Sequence, residues 1–316
     1  MQKKIIVQIP AYNEEKTIGL VIKDIPRKIN NHKVEVLVID DGSRDKTSQV
    51  AKDAGAEHII RNIKNSGLAY SFQKGLNEAL RLGADVIVNT DADFQYNQKE
   101  IPKLILPIIE GKADIVSGNR QVEKLSHMTS AKKYGNIIGS KVVKFSAGNK
   151  IKDASSGFRA YSREAALKLF ITSTHTYTHE SLIQAENKKL KAIEVPVEFN
   201  KREGGESKLI SSVPKHIKRS MATISRNTLM YNSMKVLGYL GTILIILGIV
   251  PLIRWTYLSY WLGEGGQHIQ SLLLGLLLMI LGAMVILLGF ISDLIAINRK
   301  HLEDILYRVK KIELKD

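Results

Sequence analysis

Two long runs without a charged residue constrain this chain more than any other feature. Residues 236–253 are almost wholly apolar, and 272–291 are apolar throughout. About 20 such residues cross the hydrocarbon core of a bilayer as a helix. Two in succession are hard to hide in a soluble core, so the pattern predicts transmembrane helices at about 236–254 and 271–293. Pro251 kinks the first helix or marks its exit. The loop between them carries Trp255, Tyr257, Tyr260 and Trp261, which suits an interfacial aromatic belt.

Orientation follows from the basic residues. Lys215, Lys218, Arg219, Arg226 and Lys235 precede the first run, and Arg299, Lys300, Arg308, Lys310 and Lys311 follow the second, while the loop between holds only Arg254. The positive-inside rule then expects both termini, and with them the larger N-terminal part, to be cytoplasmic. No signal peptide is visible at the start, and the absence of cysteine removes disulfides and thiolate metal sites. A formal charge of +15 fits attraction to an anionic membrane surface together with a phosphate site. A nucleic-acid partner is not expected, because no basic stretch is interleaved with aromatic residues that could stack bases. Residues 213–235 are basic and amphipathic and read as an interfacial helix. The tail 298–316 has apolar positions at helical spacing, which suits either the membrane surface or a neighbouring protomer in a homo-oligomer.

Up to about residue 120, strand-like and helical patterns alternate. Strands are expected at 5–9, 34–40, 58–60, 85–90 and 114–117, with helices at 14–29, 45–54, 66–82 and 98–110. Gly55, Gly83 and Gly111 stand where helix C-caps belong. Such alternation argues for an α/β, mostly parallel sheet. Beyond it, a helix at 131–146, a turn-rich stretch 151–161, helices at 163–170 and 179–190 and a strand at 192–199 are expected to form a further layer.

The strand at 85–90 runs into Asp91-Ala92-Asp93-Phe94-Gln95. Ligands of open α/β sheets bind outside the carboxyl ends of the strands, and Mg²⁺ is typically held by one or two carboxylates plus substrate phosphates. Asp91 and Asp93 therefore suit a metal–diphosphate site, and equally a solvated turn, the commoner setting of an isolated Asp-x-Asp on a loop. The first strand ends in Pro10-Ala11-Tyr12-Asn13-Glu14-Glu15, a polar loop placed to grip a nucleoside and equally suited to starting a helix. The second ends in Asp40-Asp41-Gly42-Ser43, where Asp41 can accept from a ribose hydroxyl or a base N–H, or can simply cap a turn.

These three motifs, in this order, resemble family-two glycosyltransferases of the GT-A fold. Ser117-Gly118-Asn119-Arg120, Asp153-Ala154-Ser155-Ser156-Gly157-Phe158-Arg159 and Arg202-Glu203-Gly204-Gly205-Glu206-Ser207-Lys208 extend the likeness to the dolichol-phosphate mannosyltransferase and polyprenyl-phosphate glucosyltransferase branch. The resemblance implies a GT-A catalytic domain over 1–212, the interfacial helix 213–235, two spans within 236–297 and the tail 298–316. It also implies Mg²⁺ or Mn²⁺ at Asp91, Asp93 and Gln95. Pro10, Tyr12, Asn13, Glu14, Asp41 and Asp91 would hold the nucleotide sugar. Arg120, Ser156 and Glu180 would lie at the acceptor phosphate, and Asp93, Arg202 and Lys208 would stabilise the departing diphosphate. Two departures stand out: a single glycine in Asn65-Ser66-Gly67-Leu68-Ala69 where relatives often have two or three, and Tyr96-Asn97 where relatives often have His-Pro.

The expected reaction is inverting transfer of a hexose from a GDP-mannose- or UDP-glucose-class donor to a polyprenyl phosphate. A phosphate monoester is largely a dianion at pH 7 and needs no general base. The alternatives are a hydroxyl acceptor on another membrane lipid, with Glu180 or Asp153 as base, and a non-catalytic nucleotide-binding scaffold.

Overall fold

The computed structural model describes residues 2–124, 151–173, 176–201 and 213–315. The chain forms two units, Met1–Ser225 with Leu306–Asp316, and Arg226–Ile305. The expected helix at 131–146 lies outside the described residues.

The first unit is built on one eight-stranded sheet in the order β2-β3-β1-β5-β7-β6-β8, with β4 paired to β3. β1 (Lys4–Ala11), β3 (His32–Asp40), β4 (His58–Arg61) and β5 (Val86–Asn89) run parallel. β6 (Ile115–Asn119) is parallel to β8 (Ala192–Pro196). The sheet is mixed because β7 (Arg159–Ser162) lies antiparallel between β5 and β6, and β2 (Lys28–Ile29) is antiparallel to β3. The sequence reading put residues 159–161 in the turn-rich stretch and 162 just beyond it. They form a strand by pairing antiparallel with β5 on one side and β6 on the other, with Arg159 fully buried.

The buried strands read as continuous apolar runs because both faces of the sheet are covered. Alternate residues point to opposite faces. Ile5, Val7 and Ile9 of β1 pack in one cluster with Ile18, Val21 and Ile22 of α1 (Ile18–Asp24), Ala51 of α2 (Thr47–Asp53) and Leu104 and Ile105 of α4 (Ile101–Ile109). Ile6, with Leu37 and Ile39 of β3, packs in the other with Phe72, Leu76 and Leu80 of α3 (Leu68–Arg81) and Ala165 of α5 (Arg163–Lys168). Each fully buried aliphatic or aromatic side chain contributes about 1.5–3 kcal/mol. α1 is shorter than the expected 14–29 for a local reason: Ile25 precedes Pro26 and is extended (φ −70°, ψ 122°), as the ring of a following proline demands. Gly55, Gly83 and Gly111 do end their helices, each at positive φ. α6 (Thr178–Asn187) completes the layer. Tyr307 and Leu314, near the end of the chain, pack on the second cluster, and the Tyr307 hydroxyl donates to Glu164 (3.0 Å).

The second unit takes in most of α7 (Val213–Trp261), from residue 226 on, and α8 (Ile269–Leu314) as far as residue 305. Asn232 interrupts α7 with non-helical angles (φ −134°, ψ 33°). Leu229–Trp261 and Gly266–Leu314 are long and apolar enough to cross a membrane, and only 11% and 17% of their most apolar windows are buried, unlike core helices of a soluble protein. The two helices meet through glycines seven residues apart. A Cβ on Gly241 would lie 2.6 Å from the Gly282 carbonyl, one on Gly248 2.9 Å from the Gly275 carbonyl, and one on Gly289 3.1 Å from Leu237 Cβ. Small residues let apolar helices approach closely enough to gain dispersion contacts, which drive association where lipid offers no hydrophobic difference.

Candidate active site

The carboxyl ends of β1 and β3 are laced together. The Asp41 amide donates to the Ala11 carbonyl (2.8 Å), and the Asn13 amide donates to Ser43 Oγ (2.9 Å). Asn13, in the left-handed region (φ 54°), accepts at Oδ1 from the Arg44 amide (2.8 Å), and the Glu14 amide donates to Thr47 Oγ1 (2.9 Å). Pro10 is buried and Tyr12 half-buried in the same loop. Asp41, 4% exposed, takes donors from the loop 62–67: Asn62 Nδ2 (2.7 Å) and the Ser66 amide (2.9 Å) on Oδ1, and the Gly67 amide (2.8 Å) on Oδ2. Gly42 (φ 73°) admits this loop, since a Cβ there would sit 2.7 Å from the Lys64 carbonyl carbon.

A second cluster forms beyond β5. Asp91 and Asp93 are half-buried, and Phe94 between Asp93 and Gln95 has φ 58°, an outlier for a bulky side chain. The Gln95 amide reaches Asp93 Oδ1 (3.3 Å), while the Gln95 side chain donates through Nε2 to the Asn200 carbonyl (3.1 Å). Tyr96, 2% exposed, stacks on Phe158 (5.0 Å), and its hydroxyl meets Ser156 Oγ (3.4 Å) and accepts from the Gly157 amide (3.2 Å). Burial, and to a smaller extent the charge of Asp91, push its phenol up to about 12 against the pull of Arg120, so it stays a neutral donor.

Gly157 lies against the aspartate loop: a Cβ would stand 2.9 and 3.0 Å from the two Asp91 carboxylate oxygens and 3.0 Å from the Tyr177 hydroxyl. That hydroxyl accepts from Asn89 Nδ2 (2.7 Å), which also donates to the Gly157 carbonyl (2.8 Å). Asn89 Oδ1 in turn accepts from Gln8 (2.9 Å), its register partner on β1. The Arg120 fork grips Asp153, with Nε to Oδ2 and Nη2 to Oδ1 both at 2.8 Å, and Nη2 also donates to Ser155 Oγ (2.8 Å). Burial works against its charge, but the neighbouring Asp153 outweighs that and raises its pKa, so it remains a cation. Arg159 is fully buried and satisfied by Ser117 Oγ, the Thr178 carbonyl, Ser181 Oγ and the Ala154 carbonyl, at 2.6–3.1 Å.

The structure thus brings Asp91, Tyr96, Ser156, Gly157, Asp153 and Arg120 into one cluster, and residues 10–14 with Asp41 into another. Glu180, 1% exposed, is turned elsewhere: it accepts from the Thr172 amide (3.0 Å), Thr172 Oγ1 (2.9 Å), the Ser173 amide (2.9 Å) and Gln184 (3.2 Å). Arg202 and Lys208 lie outside the described residues. Sequence reasoning passed over Asn89 and Tyr177. Asn89 carries a usable signal, a polar residue at the buried end of an apolar strand. Tyr177 carries none.

The model of the family described as glycosyl transferase family 2 matches residues 6–170, just over half the chain. The chain belongs to glycosyl transferase family 2. Among curated family relatives, the dolichyl-phosphate hexose transferase of Haloferax volcanii is 34% identical over 205 residues, covering 64% of this chain and 85% of that protein. The UDP-N-acetylglucosamine–dolichyl-phosphate N-acetylglucosaminyltransferase of Methanococcus voltae is 32% identical over 218 residues, covering 62% and 85%. Among solved structures, glucosyl-3-phosphoglycerate synthase from Mycobacterium tuberculosis, with Mn²⁺, UDP-glucose and phosphoglyceric acid, superposes with a TM-score of 0.59 over 72% of this chain and 80% of that one. At 20% identity that likeness shows the GT-A-like fold.

The donor set fits a divalent cation of the kind the fold family uses. Among the described residues no three acidic or imidazole groups converge, whereas Asp91 and Asp93 provide two hard carboxylates, and Gly157 keeps side-chain bulk away from Asp91. A hard cation held by one or two carboxylates completes its shell from water and substrate phosphate.

Proposed function

We propose that this family 2 enzyme transfers a hexose, with inversion, from a GDP-mannose- or UDP-glucose-class nucleotide sugar to a polyprenyl phosphate. One observation carries the choice of acceptor. A hydroxyl acceptor needs a positioned base, and the two carboxylates suited to that role are engaged: Glu180 accepts four hydrogen bonds and Asp153 takes the fork of Arg120. With their oxygens occupied by these donors, neither is placed to take a proton from an acceptor hydroxyl. A phosphate dianion needs none, and the names of the relatives support the same acceptor.

In this reading residues 10–14 and Asp41 hold the nucleoside. Asp91 and Asp93 would bind Mg²⁺ or Mn²⁺, with Gln95 beside them, and the bound ion would neutralise charge on the diphosphate leaving group. Arg202 and Lys208 add positive charge there, where preorganised electrostatics contribute most to the rate. Arg120, kept cationic by Asp153, offers its remaining donors to the acceptor phosphate, with Ser156 close by. Two helices able to cross a membrane would hold the enzyme where the polyprenyl tail resides, with both termini cytoplasmic.

The test is transfer of label from a panel of nucleotide sugars into an organic-soluble, acid-labile product, using the full-length protein, Mg²⁺ or Mn²⁺ and a polyprenyl phosphate. Product from one donor class is expected. No product from any donor, with nucleoside diphosphate still bound, would refute the polyprenyl phosphate acceptor.

A further inference from the structure

Lys74 stands in the middle of α3, and no motif of the family-like pattern includes it. Its ammonium donates to Asn62 Oδ1 at 2.7 Å. Asn62 is 5% exposed and uses its other end on Asp41: Nδ2 donates to Asp41 Oδ1 at 2.7 Å and also reaches Ser71 Oγ at 3.2 Å. The result is a chain from half-buried Lys74 through buried Asn62 to buried Asp41. An amide whose oxygen faces an ammonium can turn only its NH₂ toward a carboxylate. The reverse orientation would set oxygen against oxygen beside Asp41 and NH₂ against the ammonium.

The arrangement also fixes which part of Asp41 stays open to a ligand. Oδ1 is filled by Asn62 and the Ser66 amide, while Oδ2 takes the Gly67 amide alone. A carboxylate has about four lone-pair sites, so Oδ2 keeps room for one further N–H or O–H. We propose that Lys74 is a positioning residue for the donor nucleotide: by setting the direction of the Asn62 amide it holds the Asp41 carboxylate and the loop 62–67 in the attitude that receives the nucleoside. This rests on the reading that Asp41 faces the nucleoside.

The experiment measures binding of UDP and GDP, each with Mn²⁺, to the full-length protein in detergent by calorimetry, and steady-state transfer, for wild type, Lys74→Met and Lys74→Arg. Lys74→Met should raise the Kd of whichever nucleotide the wild type binds by about tenfold, the size of one charge-assisted hydrogen bond. The KM for the donor should rise by a similar factor, with kcat and the KM for polyprenyl phosphate held within about twofold. Lys74→Arg should restore most of the affinity. If Lys74→Met unfolds below the assay temperature, Lys74→Gln, which removes the charge in a side chain that stays polar, makes the same comparison. Unchanged nucleotide Kd in Lys74→Met or Lys74→Gln, or a loss confined to kcat, overturns the proposal. A wild type that binds neither nucleotide overturns the nucleotide-sugar reading itself, and this inference with it.

Discussion

Replacing Gly157 by alanine tests the site at its tightest point. The added Cβ would sit 2.9 and 3.0 Å from the Asp91 carboxylate oxygens and 3.0 Å from the Tyr177 hydroxyl. Ordinary C···O contacts are about 3.3–3.6 Å, so something must retreat by about 0.3–0.7 Å. Tyr177 cannot easily do so: it is fully buried, stacked on Phe72 at 3.8 Å and hydrogen-bonded to Asn89. Asp91, half-buried on its loop, is the group that yields. Gly157 does not have positive φ, so the substitution acts through space and not through backbone strain. Overpacking of this kind costs about 1–3 kcal/mol, or a melting point lower by several degrees. On the metal role proposed for Asp91, displacing its carboxylate by about half an ångström should lower kcat by roughly 10–100-fold, because a misplacement near 1 Å costs about 10². It should also raise the Mn²⁺ concentration for half-maximal rate. The assay is label transfer across a Mn²⁺ titration beside a thermal melt. Wild-type turnover and metal dependence in a folded Gly157→Ala protein would refute the role given to Asp91.

The other predictions draw on separate parts of the molecule. Asp153→Ala strands the Arg120 guanidinium, only 12% exposed, and should cost about 3–5 kcal/mol in a thermal melt; a change below 1 kcal/mol would show the pair to be weak. At the far end of the sheet, burial raises the Glu35 carboxyl, but hydrogen bonds from His58, Lys33 and Lys4 outweigh it and hold its pKa at about 2. A depressed carboxylate stabilises fully above its unfolded value near 4.5 and loses that contribution as pH falls toward 2. Glu35→Gln should therefore flatten the pH dependence of stability in that window, and an unchanged slope would count against the cluster. In the apolar hairpin, Gly282→Leu must clear the Gly241 carbonyl, 2.7 Å from its Cβ, and should lower the melting point in detergent, whereas Gly238→Leu, whose Cβ meets nothing, should not. Chelation by EDTA should abolish transfer, and added Mn²⁺ or Mg²⁺ should restore it.

Much of the fold was legible because buried parallel strands are written as plain apolar runs. β1, β3 and β5 lie where the pattern puts them, and the three glycine caps end α2, α3 and α4. β7 escaped because Arg159 opens it. A fully buried arginine reads as a surface residue until the carbonyls and hydroxyls around it are known. Asp91 was legible as a carboxylate at a strand end, but its closeness to Gly157 was not, since the two are far apart in sequence and meet only through the pairing of β5 with β7. Glu180 shows the opposite limit: an acidic residue named from resemblance is committed to the segment 172–173 by contacts that no motif encodes.

Phe94 has a consequence for how this loop would change under selection. Its side chain packs on the first core cluster while its backbone is held at φ 58°, a conformation that costs a residue with a Cβ about 1–2 kcal/mol. Glycine would relieve that cost but would release the anchor between Asp93 and Gln95 and add freedom to the unfolded chain, which returns about 0.4–1 kcal/mol. The net effect on stability is close to zero, so heat resistance alone exerts little pressure at this position. On the metal role proposed for Asp91 and Asp93, what holds phenylalanine there is turnover, through the fixed attitude of those two carboxylates. Laboratory evolution for thermal tolerance should leave position 94 free to drift, and selection for rate should return the aromatic anchor.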